Sequence, residues 1–261
     1  MVSRYDVTLN GVPLSDLAEE IIIRDIVEKQ PKTDRQEAKR ALRYGSRISG
    51  VLRRALPVQI VFNVRAYDEE RRAEILDAVA AWAGSGGWLT ISTRPFLRLY
   101  VQPEEYPALN SSLKWTEDLT MTLTAYAQPY WEELLPAVLD VQTDEANDFS
   151  GTISTRGTVD AVPLTAELTN AGDAPLTTLH IAANSTFFDL TGLSVQPGES
   201  VRIFYTDEDV LIIRGGENSI LHSRTAESSD ELLIVPGRDN AVEITADAPL
   251  TGTISARGRW R

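Results

Sequence analysis

The segment that most constrains the fold is an apolar run near the centre of the first half, followed by one amphipathic stretch. Leu56–Val64 is rich in β-branched residues, and its apolar side chains alternate, which predicts a β-strand with one buried face. Asp68–Ala83 has apolar residues at helical spacing behind a potential N-cap aspartate, so it predicts a helix that covers a sheet. Gly84 is expected to end the helix in the left-handed conformation, and Trp88–Ser92 to return as a strand.

Charge is distributed unequally between the two halves of the chain. Residues 1–130 contain 17 basic and 17 acidic side chains, so residues 131–261, with 8 and 21, carry the whole net charge of −13. This contrast predicts two domains with different surroundings. Acidic surfaces repel phosphate backbones, so we expect no nucleic-acid contact by the second domain. A requirement for solubility would also account for the acidic excess.

The composition excludes several classes of protein. No apolar run approaches the roughly 18–20 residues of a membrane span, and the first residues lack the apolar stretch of a signal peptide. We therefore expect no membrane contact and synthesis in the cytoplasm of the producing cell. The sequence has no cysteine, which excludes disulfides, thiol catalysis and cysteine-ligated zinc.

Residues 1–131 are predicted to form a first domain that contains a basic arm at residues 28–54. The arm has no sustained apolar period, and we expect an exposed arm or hairpin there. A short helix over Arg35–Leu42 and a flexible surface loop are the alternatives. Near the N-terminus, Asn10-Gly11 is typical of a hairpin turn.

The arm and the flat aromatic side chains supply the candidate contacts between subunits. An arm of this charge is suited to gripping a neighbouring subunit or an acidic surface. The aromatic residues Trp88, Phe96, Tyr100, Tyr106 and Trp115 favour core or subunit interface over a sugar platform. The candidate subunit-interface residues are Arg35, Lys39, Arg40, Arg43, Arg47, Arg53, Arg54, Trp88 and Tyr100.

The sequence pattern of the second half of the chain predicts strands joined by turns. Residues 132–150 are interpreted as a structured acidic connector, and residues 151–261 as a β-sandwich with turns every 8–12 residues or so. Gly151–Gly157 is nearly repeated as Gly252–Gly258. We interpret the two copies as the first and last strands of this domain, paired side by side.

No catalytic or metal-binding motif stands out. The two histidines, His180 and His222, are not near a nucleophile elbow, and the sequence has no Walker loop or zinc-protease motif. The acidic run Asp207–Asp209 fits a hairpin tip better than a calcium loop, which needs ligands at alternating positions. We therefore expect a protein that is not an enzyme, with no catalytic residue, metal or cofactor.

Several segments, in order along the chain, resemble the distal tail protein (Dit) family of long-tailed bacteriophages. In the first half these segments are a basic lead into the central strand, the helix with its following strand, and a strand that ends in Gln-Pro-Tyr. In the second half they are the start, the proline-glycine turn and the last strand of a galectin-like sandwich. The segments are Arg47–Ile60, Glu69–Ala83, Gly86–Ile91, Leu119–Tyr130, Gly157–Leu164, Leu233–Ile244 and Gly258–Trp260.

The resemblance implies a mainly β fold, with an N-terminal β-sandwich covered by one helix (about 68–83) and a C-terminal galectin-like β-sandwich. It also implies a homohexameric baseplate hub at the distal end of the phage tail, joined to the tail tube protein on one side and a tail-tip hub or tail-associated protein on the other. The alternative is a carbohydrate-binding module acting in adhesion to the host surface. Its candidate sugar contacts are Tyr205 and Trp260.

Overall fold

The structure, a computed structural model, describes residues 5–29, 33–39, 46–53, 55–107 and 116–261, and only the backbone of residues 33–39, 46–53 and 116–117. The chain divides into two compact units. The first unit is Met1–Trp131 together with Arg261, and the second is Glu132–Trp260. The predicted mainly β fold is confirmed, and α1 (Glu69–Gly84) is the only α-helix within the described ranges.

The first unit is built on an antiparallel sheet whose strand order is β2-β1-β7-β8-β9-β6-β3. A separate antiparallel pair, β4 and β5, occupies the position of the predicted arm. The strands are β1 (Val7–Leu9), β2 (Val12–Pro13), β3 (Ile21–Glu28), β4 (Thr33–Lys39), β5 (Ser46–Arg53), β6 (Leu56–Val64), β7 (Gly87–Ile91), β8 (Leu97–Glu105) and β9 (Thr116–Ala125).

The predicted central strand and helix are confirmed, with one correction at the helix end. Asp68 is the N-cap, and its carboxylate accepts a hydrogen bond from the backbone N–H of Glu70 (3.2 Å). Gly84, however, is the last helical residue, and it is Gly86 that has a positive φ, of 60°. The backbone N–H of Gly86 reaches the carbonyl of Ala83 (2.9 Å), so the left-handed stop comes two residues later than predicted.

Alternation along the strands creates the core of the first unit. Along β6, Val58, Ile60 and Phe62 are fully buried, while Gln59 and Val61 between them are partly exposed. The buried helix residues Ile75, Leu76, Val79 and Ala83 lie on one face of α1, which contacts β8. Trp131 is also buried.

The second unit is a β-sandwich of two antiparallel sheets. The larger sheet has the order β11-β21-β13-β16-β17-β18, with β19 on β13, and the smaller one β12-β20-β14-β15. The strands of these two sheets are β11 (Ala137–Gln142), β12 (Asp148–Ile153), β13 (Val162–Asn170), β14 (Leu176–Ala183), β15 (Thr186–Val195), β16 (Ser200–Tyr205), β17 (Leu211–Gly215), β18 (Asn218–Ser219), β19 (Leu233–Ile234), β20 (Asn240–Ala246) and β21 (Leu250–Ala256). Two further strands, β10 (Trp131–Glu133) and β22 (Arg259–Trp260), pair with each other and belong to neither sheet.

One apolar core joins the two sheets of this unit. Leu164 and Ile203 from the larger sheet and Ile181, Phe188 and Ile244 from the smaller one belong to the same buried cluster. Within the segment interpreted as an acidic connector, β11 pairs with β21, and β12 begins its pairing with β20. The segment thus supplies a strand to each sheet.

The predicted pairing of the two similar segments is wrong. Gly151–Gly157 begins in β12, whose partner is β20 in the smaller sheet. Gly252–Gly258 begins in β21, which lies between β11 and β13 in the larger sheet. The two copies therefore belong to opposite layers of the sandwich. The predicted hairpin tip at Asp207–Asp209 is confirmed, since it connects the antiparallel strands β16 and β17.

Candidate interaction surfaces

Two of the predicted interface aromatics meet on the outward face of the first unit. Trp88 of β7 is directly opposite Tyr100 of β8, and their rings make an edge-to-face contact with centroids 5.2 Å apart. The guanidinium of Arg98 lies 3.7 Å from the centroid of the Trp88 ring. All three side chains are partly exposed. Their strand neighbours Leu89, which follows Trp88, and Leu99, which precedes Tyr100, are buried. We call Trp88, Arg98 and Tyr100 the aromatic cluster.

Arg98 was not among the predicted interface residues, although the strand pattern contains the signal. Because residues two apart along a strand share a face, Arg98 must emerge beside Tyr100. The planar guanidinium is suited to stacking on an aromatic ring. The cluster thus presents an aromatic surface with a fixed positive charge.

A loop from the N-terminal hairpin supports the cluster. Asn10 has a φ of 51° and Gly11 a φ of 83°, which confirms the predicted turn between β1 and β2. The side-chain amide of Asn10 donates to the carbonyl of Gly86 (2.8 Å) and accepts from the N–H of Trp88 (2.9 Å). This pair of hydrogen bonds fixes the backbone from which the Trp88 ring emerges.

The predicted basic arm contains the β4–β5 pair. Residues 33–39 are a strand, so the alternative of a helix over Arg35–Leu42 is wrong. Arg35 and Lys39 belong to β4, and Arg47 and Arg53 to β5, but their side chains lie outside the description. Arg40, Arg43, Arg54 and Trp115 lie outside the described residues altogether. Phe96 and Tyr106 are exposed.

The two candidate sugar contacts in the second unit are near a charged cluster. Arg259, which precedes Trp260, is buried and holds the hairpin-tip residue Asp209 with a 2.9 Å ion pair. The Tyr205 hydroxyl oxygen is buried. Burial, and then the charges of Glu231 and Asp209, raise the pKa of Tyr205 well above its usual value. A buried hydroxyl of this kind makes Tyr205 a poor stacking platform; Trp260 is partly exposed.

The same cluster perturbs a neighbouring carboxyl. Burial, followed by the negative charge of Asp209, raises the pKa of Glu231 above its ordinary value. Arg259 acts in the opposite direction, because its positive charge favours the carboxylate. In this cluster, therefore, the acidic side chains outnumber the one buried arginine that can neutralise them.

His180 lies beside an aspartate and an aromatic ring of the neighbouring strand. Nδ1 of His180 is 2.5 Å from Oδ1 of Asp189, and the His180 ring stacks on Phe187 at 5.7 Å between centroids. The nearby hydroxyl of Ser228 bonds instead to the backbone of Asp189. Among the described residues, no group of three or more His, Asp or Glu side chains is arranged to hold a metal ion.

Comparison with known proteins gives a match in structure and none in sequence. No protein-family model and no curated protein sequence matches the chain. The chain is similar to the Dit protein of phage SPP1, described as a paradigm of the hub adsorption apparatus in phages that infect Gram-positive bacteria. The TM-score is 0.68 at 11% identity, over 98% of this chain and 99% of the SPP1 chain.

The chain has the Dit fold. It is also similar to chains of the phage p2 baseplate in its activated conformation. For the baseplate structure with Ca, the TM-score is 0.55 at 8% identity, over 99% of this chain and 98% of the baseplate chain. With Sr it is 0.51 at 6% identity, over 97% of each chain. The resemblance predicted from the sequence is thereby confirmed at the level of fold.

No helix among the described residues has both the length and the apolar character needed to cross a membrane.

Proposed function

We propose that this chain is a distal tail protein, a structural component of the tail tip of a bacteriophage. The observation that carries the proposal is the extent of the Dit fold, since 98% of this chain corresponds to 99% of SPP1 Dit. A likeness over both units, in the same order, supports a common role better than likeness of a single sandwich, which is a fold shared by many functions. In this role the protein belongs to the virion, at the distal end of the tail, after synthesis in the host cytoplasm.

Self-assembly into a hexameric ring is the second part of the proposal. A closed ring needs head-to-tail contacts between two different surfaces of each subunit. The first unit offers two surfaces of different character: the aromatic cluster and the β4–β5 arm with its basic sequence. Its balance of basic and acidic residues allows such surfaces to meet without net repulsion.

The second units are suited to remain apart in such a ring. Residues 131–261 carry the whole net charge of −13, so copies of the second unit repel one another at low ionic strength. We infer that the ring is joined by its first units, with the tail tube protein and a tail-tip hub protein as partners. The protein acts in this proposal through assembly and not through catalysis.

Measurement of mass in solution tests the ring. Light scattering after size exclusion of the full chain is expected to give six times the 28.8 kDa subunit mass. A subunit mass at every concentration up to about 100 µM, with and without added tail tube protein, would contradict the proposal. Negative-stain images that show sixfold rings, and purification of those rings together with the tail tube protein, would support both its parts.

A further inference from the structure

The tip of the hairpin formed by β7 and β8 presents an apolar ring to solvent. Phe96 lies at this tip and is 79% exposed. It directly precedes β8, in which Arg98 and Tyr100 belong to the aromatic cluster. Leaving so large an apolar side chain in water is unfavourable, and aromatic residues are enriched where proteins contact one another. The tip thus extends the aromatic cluster to the end of the hairpin.

A turn and an ion pair hold Phe96 in position. The backbone N–H of Leu97 donates a hydrogen bond to the carbonyl of Arg94 (3.0 Å), and Pro95 occupies the second position of this turn, which its fixed φ favours. The guanidinium of Arg94 forms a 2.8 Å ion pair with Glu28 of β3. Because the tip is preorganised in this way, little conformational entropy is lost when Phe96 is bound.

The first unit also contains an open cavity of about 660 Å³. It lies where the start of β3 meets the loop after β6 and the first turn of α1. In its wall, Glu20 and Arg71 form a 3.0 Å ion pair and neutralise each other, while Ala18 and Ile22 supply apolar surface. A cavity of this volume can hold a drug-sized ligand, and therefore also the smaller ring of a phenylalanine.

The charged groups around the cavity suit the charge of the hairpin. Asp16 and Glu19 are exposed, and their carboxylates make no hydrogen bond or ion pair with another residue that the structure describes. Arg65 also lines the cavity, and a planar guanidinium can stack on an aromatic ring. Residues 86–103 of the hairpin contain two arginines and no acidic residue, so the hairpin contributes only positive charge.

The tip and the cavity lie at opposite ends of the same strand. Ile22, near the start of β3, lines the cavity, whereas Glu28, the last residue of β3, holds Arg94 of the tip. At ~3.3 Å per residue, the strand places these two positions about 20 Å apart. The tip of one subunit therefore does not reach its own cavity. Two different and complementary surfaces of this kind are what a head-to-tail contact between copies requires.

We propose that Phe96 of one subunit inserts into this cavity of the next subunit. The ring packs on the apolar wall and on the guanidinium of Arg65, and the positive charge of the hairpin faces Asp16 and Glu19. The partner is a second copy of this chain, because the same unit carries both halves of the contact. The inference rests on the proposed ring, and it gives the surface that includes the aromatic cluster an acceptor on the neighbouring subunit.

Light scattering over a dilution series compares the wild type with Phe96→Ala. The variant should weaken assembly about tenfold or more, since it removes an aromatic anchor from every contact. Leu135→Ala is the matched control, because it removes an apolar side chain that is 82% exposed in the second unit, and it should assemble like the wild type. Glu19→Lys should also weaken assembly, because it sets a positive charge against the hairpin. Its control is Glu145→Lys, at an exposed position of the second unit.

Cysteine cross-linking identifies the acceptor surface, because the chain has no cysteine of its own. Thr93→Cys at the tip and Glu19→Cys at the cavity, combined in one chain, are both at exposed positions and leave Phe96 in place. A short bis-maleimide should join these positions between subunits and give a ladder of up to six chains on a denaturing gel. Thr93→Cys combined with Glu145→Cys is the control and should give single chains.

The outcomes separate this contact from the ring itself. A sixfold mass without a ladder overturns the contact and leaves the ring, and so does a Phe96→Ala protein with the wild-type dilution profile. Weaker assembly of Phe96→Ala without a ladder seats Phe96 on another surface and also overturns the assignment to this cavity. A wild type that stays at the subunit mass, with and without tail tube protein, overturns both. Circular dichroism checks the fold of each variant, and the cross-linked pair stays informative if Phe96→Ala is destabilised.

Discussion

The side-chain amide of Asn10 occupies the space in which residue 87 would carry a Cβ atom, and Gly87 is what makes room for it. Gly87 also has a φ of 132°, a conformation that other residues rarely adopt. The amide uses this space to bind the backbone on both sides of Gly87, at Gly86 and Trp88. The glycine thus connects the N-terminal hairpin to the strand that presents the aromatic cluster.

Gly87→Ala should therefore destabilise the first unit strongly. We expect a loss of about 2–4 kcal/mol, because the strain at φ 132° adds to the displacement of Asn10. Gly11→Ala is the matched control: φ is 83°, but no atom lies within 4 Å of its added Cβ, so about 1 kcal/mol is expected. Urea unfolding measures both. Equal losses would show that the contact with Asn10 is not important.

The charged cluster of the second unit predicts a pH effect at Glu231. Because burial raises the pKa of Glu231 in the folded state, the folded protein retains its proton at pH values where the unfolded chain has lost it. Stability from this group is therefore present below its ordinary pKa of 4.5 and is lost as pH rises through the folded pKa. Glu231 costs stability at neutral pH.

Glu231→Gln should then stabilise the protein at pH 7. The gain is about 0.5 kcal/mol, a small figure because the side chain is only partly buried and solvent screens its charge. It should shrink towards zero below pH 4.5, where the wild-type carboxyl is protonated in both states. Thermal unfolding of both proteins between pH 3.5 and pH 7 checks this; a gain that is independent of pH would show that the charge of Glu231 is not its cause.

Asp247 should show the opposite dependence on pH. Partial burial works against its ionisation, but hydrogen bonds from Thr177 and Thr178 hold the pKa of Asp247 below its ordinary value of 3.8. Its stabilising effect is present above pH 3.8 and is lost as pH falls through the folded pKa.

Asp247→Ala should cost about 1 kcal/mol at pH 7, since this exposed carboxylate binds two backbone N–H groups in competition with water. The difference from the wild type should disappear at a pH well below 3.8, when the carboxylate is protonated. Asp239→Ala, in an exposed turn, is the control and should have little effect at either pH. A cost for Asp247→Ala that persists unchanged in acid would show that packing, not charge, is responsible.

The strand, helix and strand around Leu56 were predictable because each has a clear period of its own. Leu56–Val64 matches β6 at both ends, and the helix differs only at Gly84. Local pattern decides such elements, since their buried faces repeat every two or 3.6 residues. The sequence of the β4–β5 pair has no such period, so it left three alternatives open: an exposed arm or hairpin, a short helix, and a flexible surface loop.

Pairing of strands and the direction of single side chains were not predictable in the same way. The similar segments of β12 and β21 lie in opposite sheets because pairing depends on the path of the chain, not on likeness of sequence. In β16, apolar Phe204 and Tyr205 adjoin two core residues, so the sequence leaves the phase of the strand ambiguous. In the structure, Val201 and Ile203 are the residues of this strand that face the core of the sandwich.

Arg98 gives the sharpest test of the proposed ring. Its guanidinium stacks on the partly exposed ring of Trp88 within the subunit, so Arg98→Ala should cost only about 0.5–1 kcal/mol of subunit stability. If the aromatic cluster is buried between subunits, the same change should weaken assembly at least tenfold. The reason is that the substitution removes one interfacial arginine from every contact between subunits. Arg98→Lys should restore assembly only in part, since an ammonium has no planar fork.

Light scattering over a dilution series measures this effect, with Arg238→Ala of the second unit as the matched loss of one exposed arginine. The control should assemble like the wild type. An Arg98→Ala protein that keeps the wild-type dilution profile would place the contacts between subunits away from Trp88 and Tyr100. The β4–β5 arm would then be the remaining candidate for the ring contact, because it is the other surface of the first unit that the sequence equips with charge.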